Sequence, residues 1–147
     1  MKVLFIGDKP SKRTDPNKAF KGAACEKRLT RWIEKVTLKA GLAGWLIDPI
    51  CREEYELINR VDKDAIYKTM EYYIQDWPII TLGNEAEKFL LSLSIYSYSK
   101  LPHPSGKNRQ INDLKLINSS LKSCRSYIIY KALQYKRRID GFPFIWP

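Results

Sequence analysis

One stretch, LPHPSGKNRQIND (Leu101–Asp113), holds the chain's single histidine, His103, between two prolines. Ser105 follows, then Lys107, Asn108 and Arg109. A second stretch, GDKPS (Gly7–Ser11), sets Asp8 and Lys9 directly after a glycine that closes an apolar run. Phe20 is an aromatic ring in an otherwise polar loop. These residue types suit cleavage of an N-glycosidic bond. The leaving base departs with negative charge while the sugar becomes cationic. An imidazole can hydrogen-bond a base oxygen as that charge grows, and a carboxylate can stabilise the sugar cation or orient a water. A ring can stack on an extruded base. Asp8 and His103 are the candidate catalytic residues, and Phe20 is the candidate base platform. Each also has a plainer role open to it: an exposed loop histidine, a turn cap, a core ring. Asp15, before Pro16, reads as a turn residue.

Other chemistries lack their residues. GDKPS is not a Walker A loop, there is no GxGxxG, and Ser105 has no nucleophile-elbow context. One histidine and three scattered cysteines, Cys25, Cys51 and Cys124, without a CxxC pair, cannot build a zinc site or a disulfide framework. No metal and no cofactor is expected, and the thiols suit a reducing, cytoplasmic setting. The first residues reach Gly7 and Asp8 too early for a secretory segment, and no run of about 18 apolar residues exists to span a membrane.

Charge points to the partner. The chain carries +10, distributed unevenly: +7 over residues 1–40, −5 over 41–97 and +8 over 98–147. Two basic ends around an acidic middle suggest one face for a polyanion, and DNA is the expected partner. Lys9, Lys12 and Arg13 in the first loop and Lys107 and Arg109 in the last are candidate phosphate contacts, with plain solvated charge as the other reading.

The elements that must position these residues follow from periodicity. KVLFIG (Lys2–Gly7) is a short apolar run ended by glycine, hence a buried strand. Leu29, Trp32, Ile33, Val36 and Ala40 recur at helical spacing, which predicts a helix over 23–40 with Gly41 as its C-cap. AGWLID (Ala43–Asp48) reads as the second strand, and CREEYELINRVDK is left unassigned. A helix over 64–75 is expected to bury Ile66, Met70, Tyr73 and Ile74. WPIITLG (Trp77–Gly83) is the third strand, and Asn84 is expected to cap a short helix. YSYSKLP is a fourth strand leading to His103. A basic C-terminal helix, capped by Asn112 or Asp113, runs to about Arg138, followed by an apolar tail, GFPFIWP, expected to fold back on the domain. With 44% apolar residues and 147 in all, this is one domain. The βαβα order predicts an α/β fold, a three-layer α/β/α sandwich with a four-stranded parallel sheet. Ligands of such sheets bind at the carboxyl ends of the strands, where Asp8–Phe20, Asp48–Arg52 and His103–Arg109 would lie.

Four stretches, in order over roughly residues 2–120, resemble motifs of the uracil-DNA glycosylase superfamily, nearest its thermophile-type branch: VLFIGDKPS, AFKGAACEKRL, IITLGNEAEKFL and LPHPSGKNR. The resemblance implies that Phe20 stacks on a flipped base, that Asp8 lies near the scissile bond, and that His103 stabilises charge on the base. Ser105 through Arg109, Asn108 included, would press on the DNA and hold its phosphates. Three departures accompany it. Lys9 stands where some branches carry a water-activating Asp or Asn. Asp48 stands in for the asparagine that reads uracil at the end of strand two. Only Cys51 lies near a position that would ligate the branch's iron–sulfur cluster, so no cluster is expected. A carboxylate at Asp48 only accepts hydrogen bonds and suits an exocyclic amino group better than uracil's O4.

The expected activity is thus monofunctional hydrolysis of the bond between a flipped pyrimidine, uracil or a modified one, and its sugar in DNA, by a monomer. Two alternatives stand beside it: a non-catalytic base- or nucleic-acid-binding module of the same fold, and an enzyme acting on a free nucleotide-like ligand.

Overall fold

The computed structural model describes residues 1–9, 25–37 and 54–140. Within them the order is β1 (Lys2–Gly7), α1 (Glu26–Val36), β2 (Glu54–Asn59), α2 (Ala65–Gln75), β3 (Ile79–Leu82), α3 (Asn84–Ser92), β4 (Ser99–Leu101), a 3-10 turn (Arg109–Asn112) and α4 (Leu114–Asp140). The four strands form one all-parallel sheet in the order β2-β1-β3-β4.

The apolar run of β1 makes it a central strand, buried from Val3 to Gly7. Its side chains alternate between two cores. Val3 and Phe5 join Ile80 and Leu82 of β3 against Leu29, Trp32, Ile33 and Val36 of α1 and Ile117, Leu121, Cys124 and Ile128 of α4. Leu4, Ile6 and Ile79 face the other way, against Ala65 and Tyr72 of α2 and Ala86 and Leu90 of α3. Helices therefore cover both faces, which is the expected three-layer α/β/α arrangement. Cys25 and Cys124 are free, buried thiols that pack as small core residues.

Three expectations about the elements change. The second strand of the sheet is Glu54–Asn59, from the segment left unassigned, and it pairs along β1 from Lys2↔Glu54 to Gly7↔Asn59. Among the described strands it lies at the edge of the sheet, and its glutamates make it look polar. Glu56 is not wasted: it accepts from Lys68 at 2.5 Å and from the Tyr72 hydroxyl at 2.8 Å. Residues 43–48, including Asp48, lie outside the described residues, as does the tail 141–147. Second, α1 ends at Val36, because Thr37 turns to extended backbone while its N–H still bonds the Ile33 carbonyl. Third, α2 buries Ala65, Thr69 and Tyr72, and of the expected stripe only Met70 packs, partly buried, against the core. Ile74 is 75% exposed, and Ile66 and Tyr73 are also exposed. Tyr72 sets that rotation: its ring meets Trp77 edge-on at 5.5 Å while its hydroxyl reaches Glu56. The small Ala65 and Thr69 then face the sheet.

The remaining elements fall where periodicity put them. Gly83, one residue before Asn84, occupies the cap position of α3. Asp113 caps α4, its carboxylate accepting from the Leu116 N–H at 3.1 Å. No described helix is long and apolar enough to cross a membrane.

Candidate functional site

At the carboxyl end of the sheet, β1 ends in Gly7 and delivers Asp8, β2 ends in Asn59 and delivers Arg60, β3 ends in Leu82 and delivers Gly83, and β4 leads through Pro102 to His103. The parallel order brings together residues separated by most of the chain.

His103 is half-buried, and its ring geometry is held on several sides. Its Nδ1 accepts a hydrogen bond from the Ser105 backbone N–H at 3.1 Å. An accepting Nδ1 places the proton of a neutral imidazole on Nε2, which is then a donor. Burial holds the imidazole below its usual pKa of 6.5, and the negative charge of Asp8 pulls it partway back. Asp8 and His103, 95 positions apart in the sequence, thus share one electrostatic environment. As the chain's only histidine, His103 gives a single imidazole NMR titration. Its midpoint should lie below 6.5 and fall further in Asp8→Asn, because removing the anion leaves burial unopposed. The folded protein binds this proton less readily than the unfolded chain. His103 therefore withdraws stability as the pH falls from 6.5 toward the folded pKa. A midpoint that ignores Asp8→Asn would separate the two residues.

The loop around the histidine is braced from within. The Asn108 carboxamide donates to the His103 carbonyl at 2.9 Å and accepts from the Gln110 N–H at 3.2 Å. Asn108 thus shapes the loop through both ends of its carboxamide. The Ser105 hydroxyl accepts from the Lys107 N–H at 3.3 Å. From α1, Arg28 Nη1 donates to the Pro104 carbonyl at 2.8 Å. Lys9, Lys107 and Arg109 are exposed and have no acidic partner among the described residues. Many carboxylates of the acidic middle are instead taken up internally: Glu56 by Lys2 and Lys68, Glu87 by Lys100, and Asp76 by Lys131.

Gly83 forms the wall beneath the histidine. Its φ of +90° lies where L side chains rarely go, and a Cβ there would stand 3.0 Å from the His103 Cβ and 3.4 Å from its Cδ2. Gly83→Ala should destabilise the protein by about 1–3 kcal/mol through backbone strain. It should also displace the imidazole; were that ring catalytic, a shift of about 1 Å would cost up to about 10²-fold in rate. Thermal melts and single-turnover rates measure the two effects separately. A variant that melts and turns over like the wild type would mean that the glycine serves neither.

Asn59 and Arg60 were not anticipated from the sequence. Asn59 is only 4% exposed, and its backbone is clamped by a reciprocal turn with Asp62: its N–H donates to the Asp62 carboxylate and its carbonyl accepts the Asp62 N–H, both at 3.1 Å. Arg60 Nε donates to Asp8 Oδ1 at 2.6 Å, and the Arg60 N–H bonds the Gly7 carbonyl at 2.9 Å. The signal was present in ELIN, an aliphatic pair ending in asparagine with an aspartate three residues on, but flanking glutamates masked the strand. Phe20, Lys12, Arg13 and Asp48 lie outside the described residues. The residue that the sheet itself sets at the carboxyl end of strand two is Asn59, in register with Gly7. No family model, curated protein or solved structure matches the chain.

Proposed function

We propose that this chain is a monofunctional DNA glycosylase that hydrolyses the N-glycosidic bond of a flipped pyrimidine, uracil in the first instance. The observation that carries the reading is the state of His103. A half-buried imidazole is biased toward neutrality, and Nδ1, by accepting from the Ser105 N–H, places the neutral ring's proton on Nε2. A neutral donor suits a base oxygen that gains negative charge in the transition state, because it stabilises the anion without first protonating the ground state.

Around it, each residue has a role that the chemistry requires. Asp8 supplies negative charge beside the imidazole, where a sugar cation would form. Asn59 is a buried carboxamide at the end of strand two, the position at which the resembled family reads uracil. An amide offers one donor and one acceptor, the complement of uracil's O4 and N3–H. On this reading uracil is the first base to try, while Asp48, on which the modified cytosine rested, lies outside the described residues. Lys9, Lys107 and Arg109 are exposed cations suited to the DNA backbone, and the reduced thiols fit the cytoplasm.

The ion pair of Asp8 with Arg60 favours a second reading, a non-catalytic module that binds an extruded base, since one carboxylate oxygen is already engaged. One experiment separates the two. The protein is incubated with single- and double-stranded oligonucleotides bearing uracil, its analogues or modified cytosines, and abasic sites are revealed by alkaline cleavage. Abasic sites at uracil are expected. Selective binding to uracil-bearing strands with no abasic site would establish the binding module, and indifference to every base would remove both.

A further inference from the structure

Arg60 stands one step outward from the level of Gly7 and Asn59, which are paired in register. Asn59 is buried, whereas the Arg60 residue is partly exposed. A nucleotide that enters base first, with its base edge at Asn59, carries its sugar and phosphate at the level of Asp8 and Arg60. A guanidinium has five N–H donors in a planar fork. The Arg60 Nε donates to Asp8 Oδ1, and Nη1 and Nη2 take no partner among the described residues. Asp8 fixes one edge of the fork and so orients the rest, while the guanidinium offsets a carboxylate that would otherwise repel a passing phosphodiester.

We propose that Arg60 is a phosphate-binding residue that takes the backbone phosphate next to the flipped nucleotide, held in place by Asp8. This rests on the glycosylase reading for the direction in which the nucleotide enters, and it adds the group that grips the backbone at the site itself. Forked donors match phosphate oxygens two at a time, which a lysine ammonium cannot do, although lysine preserves the charge.

The test is salt-dependent binding of the full-length protein to a fluorescein-labelled single-stranded oligonucleotide. The probe carries one 2′-fluoro-deoxyuridine, which resists base loss because the fluorine disfavours the sugar cation. Log affinity should fall linearly with log salt. Arg60→Gln should flatten that slope by about 0.7, the value for one neutralised phosphate on a single strand. Arg60→Lys should keep the slope. The double variant Asp8→Asn/Arg60→Gln removes the ion pair without leaving a lone charge, so it guards against misfolding of the single variant, and it should stay as flat as Arg60→Gln. An unchanged slope in Arg60→Gln would overturn the proposal. So would a wild-type slope in the double variant, which would mean that Arg60 merely cancels Asp8. Flattening by Arg60→Lys as large as by Arg60→Gln would likewise overturn it. Abasic-site formation on an unmodified uracil strand is scored separately. A wild-type protein that cuts no base but shows these slopes retires the glycosylase reading and leaves the phosphate site standing.

Discussion

His103→Ala is expected to slow base release by roughly 10²–10³-fold in single turnover, the scale set by one hydrogen-bond donor aimed at a developing oxyanion. Affinity for an uncleavable uracil strand should change little, because the interaction strengthens only as charge moves onto the base. The expectation is specific to a neutral donor. The acceptance by Nδ1 of the Ser105 N–H assigns the neutral ring's proton to Nε2, and burial disfavours a second one. The rate should therefore fall with acid around a midpoint below 6.5, the usual histidine pKa, as the buried ring is protonated. A rate that is full in His103→Ala, or one that rises as the imidazole protonates, would remove the histidine from this role.

Asn59→Asp is expected to have the second large effect, on base choice. The substitution is nearly isosteric but replaces a donor by a second acceptor at a position only 4% exposed. Uracil's O4 then faces an oxygen instead of an N–H. Leaving one buried polar group unpaired costs about 1–3 kcal/mol, and sites built around a hydrogen bond discriminate by up to about 10⁴-fold. Uracil cleavage should fall by roughly 10²-fold or more, while cytosine, whose exocyclic amino group can donate to the carboxylate, should gain relative to it. Asn59→Ala accompanies it as the variant that adds no buried charge. It should lose uracil cleavage without gaining cytosine. An unchanged base profile in both, at wild-type melting temperature, would place Asn59 outside the base contact.

Both residues show how unevenly the site was legible. His103 and Asp8 stand in breaker-rich loops after apolar runs, and such loops in a parallel α/β chain open at the carboxyl end of the sheet. Asn59 was missed because its strand lies at the sheet edge, where Tyr55 is exposed and Glu56 is only partly covered. Alternation in such a strand is interrupted by polar residues whose partners are remote in sequence. Lys2 of β1 reaches Glu56 across 54 positions, and Arg60 reaches Asp8 across 52.

The α2 helix makes the same point from the opposite side. Its apolar stripe of Ile66, Met70, Tyr73 and Ile74 obeys helical periodicity, yet the face turned to the sheet is Ala65, Thr69 and Tyr72. Periodicity reports that a helix is amphipathic, but the buried face is chosen by what fits. Two small residues allow close approach, and one tyrosine satisfies its hydroxyl on Glu56 while its ring packs on Trp77.

By itself the amino-acid sequence determined the central strands, the helices and their order, because each is a short-range pattern: an apolar run ended by glycine, or apolar residues every three to four positions. That order, with continuous apolar strands, was enough for a parallel sheet between helical layers and for the end at which His103 and Asp8 both lie. Only the tertiary structure decided the register that brings Asn59 level with Gly7, the ion pair that joins Asp8 to Arg60, and the Gly83 wall against His103. It also decided the hydrogen bond and burial that select the imidazole's neutral Nε2–H form. These depend on distances between residues from different strands, and on the loss of water around them. Neither quantity is a property of any local stretch of chain.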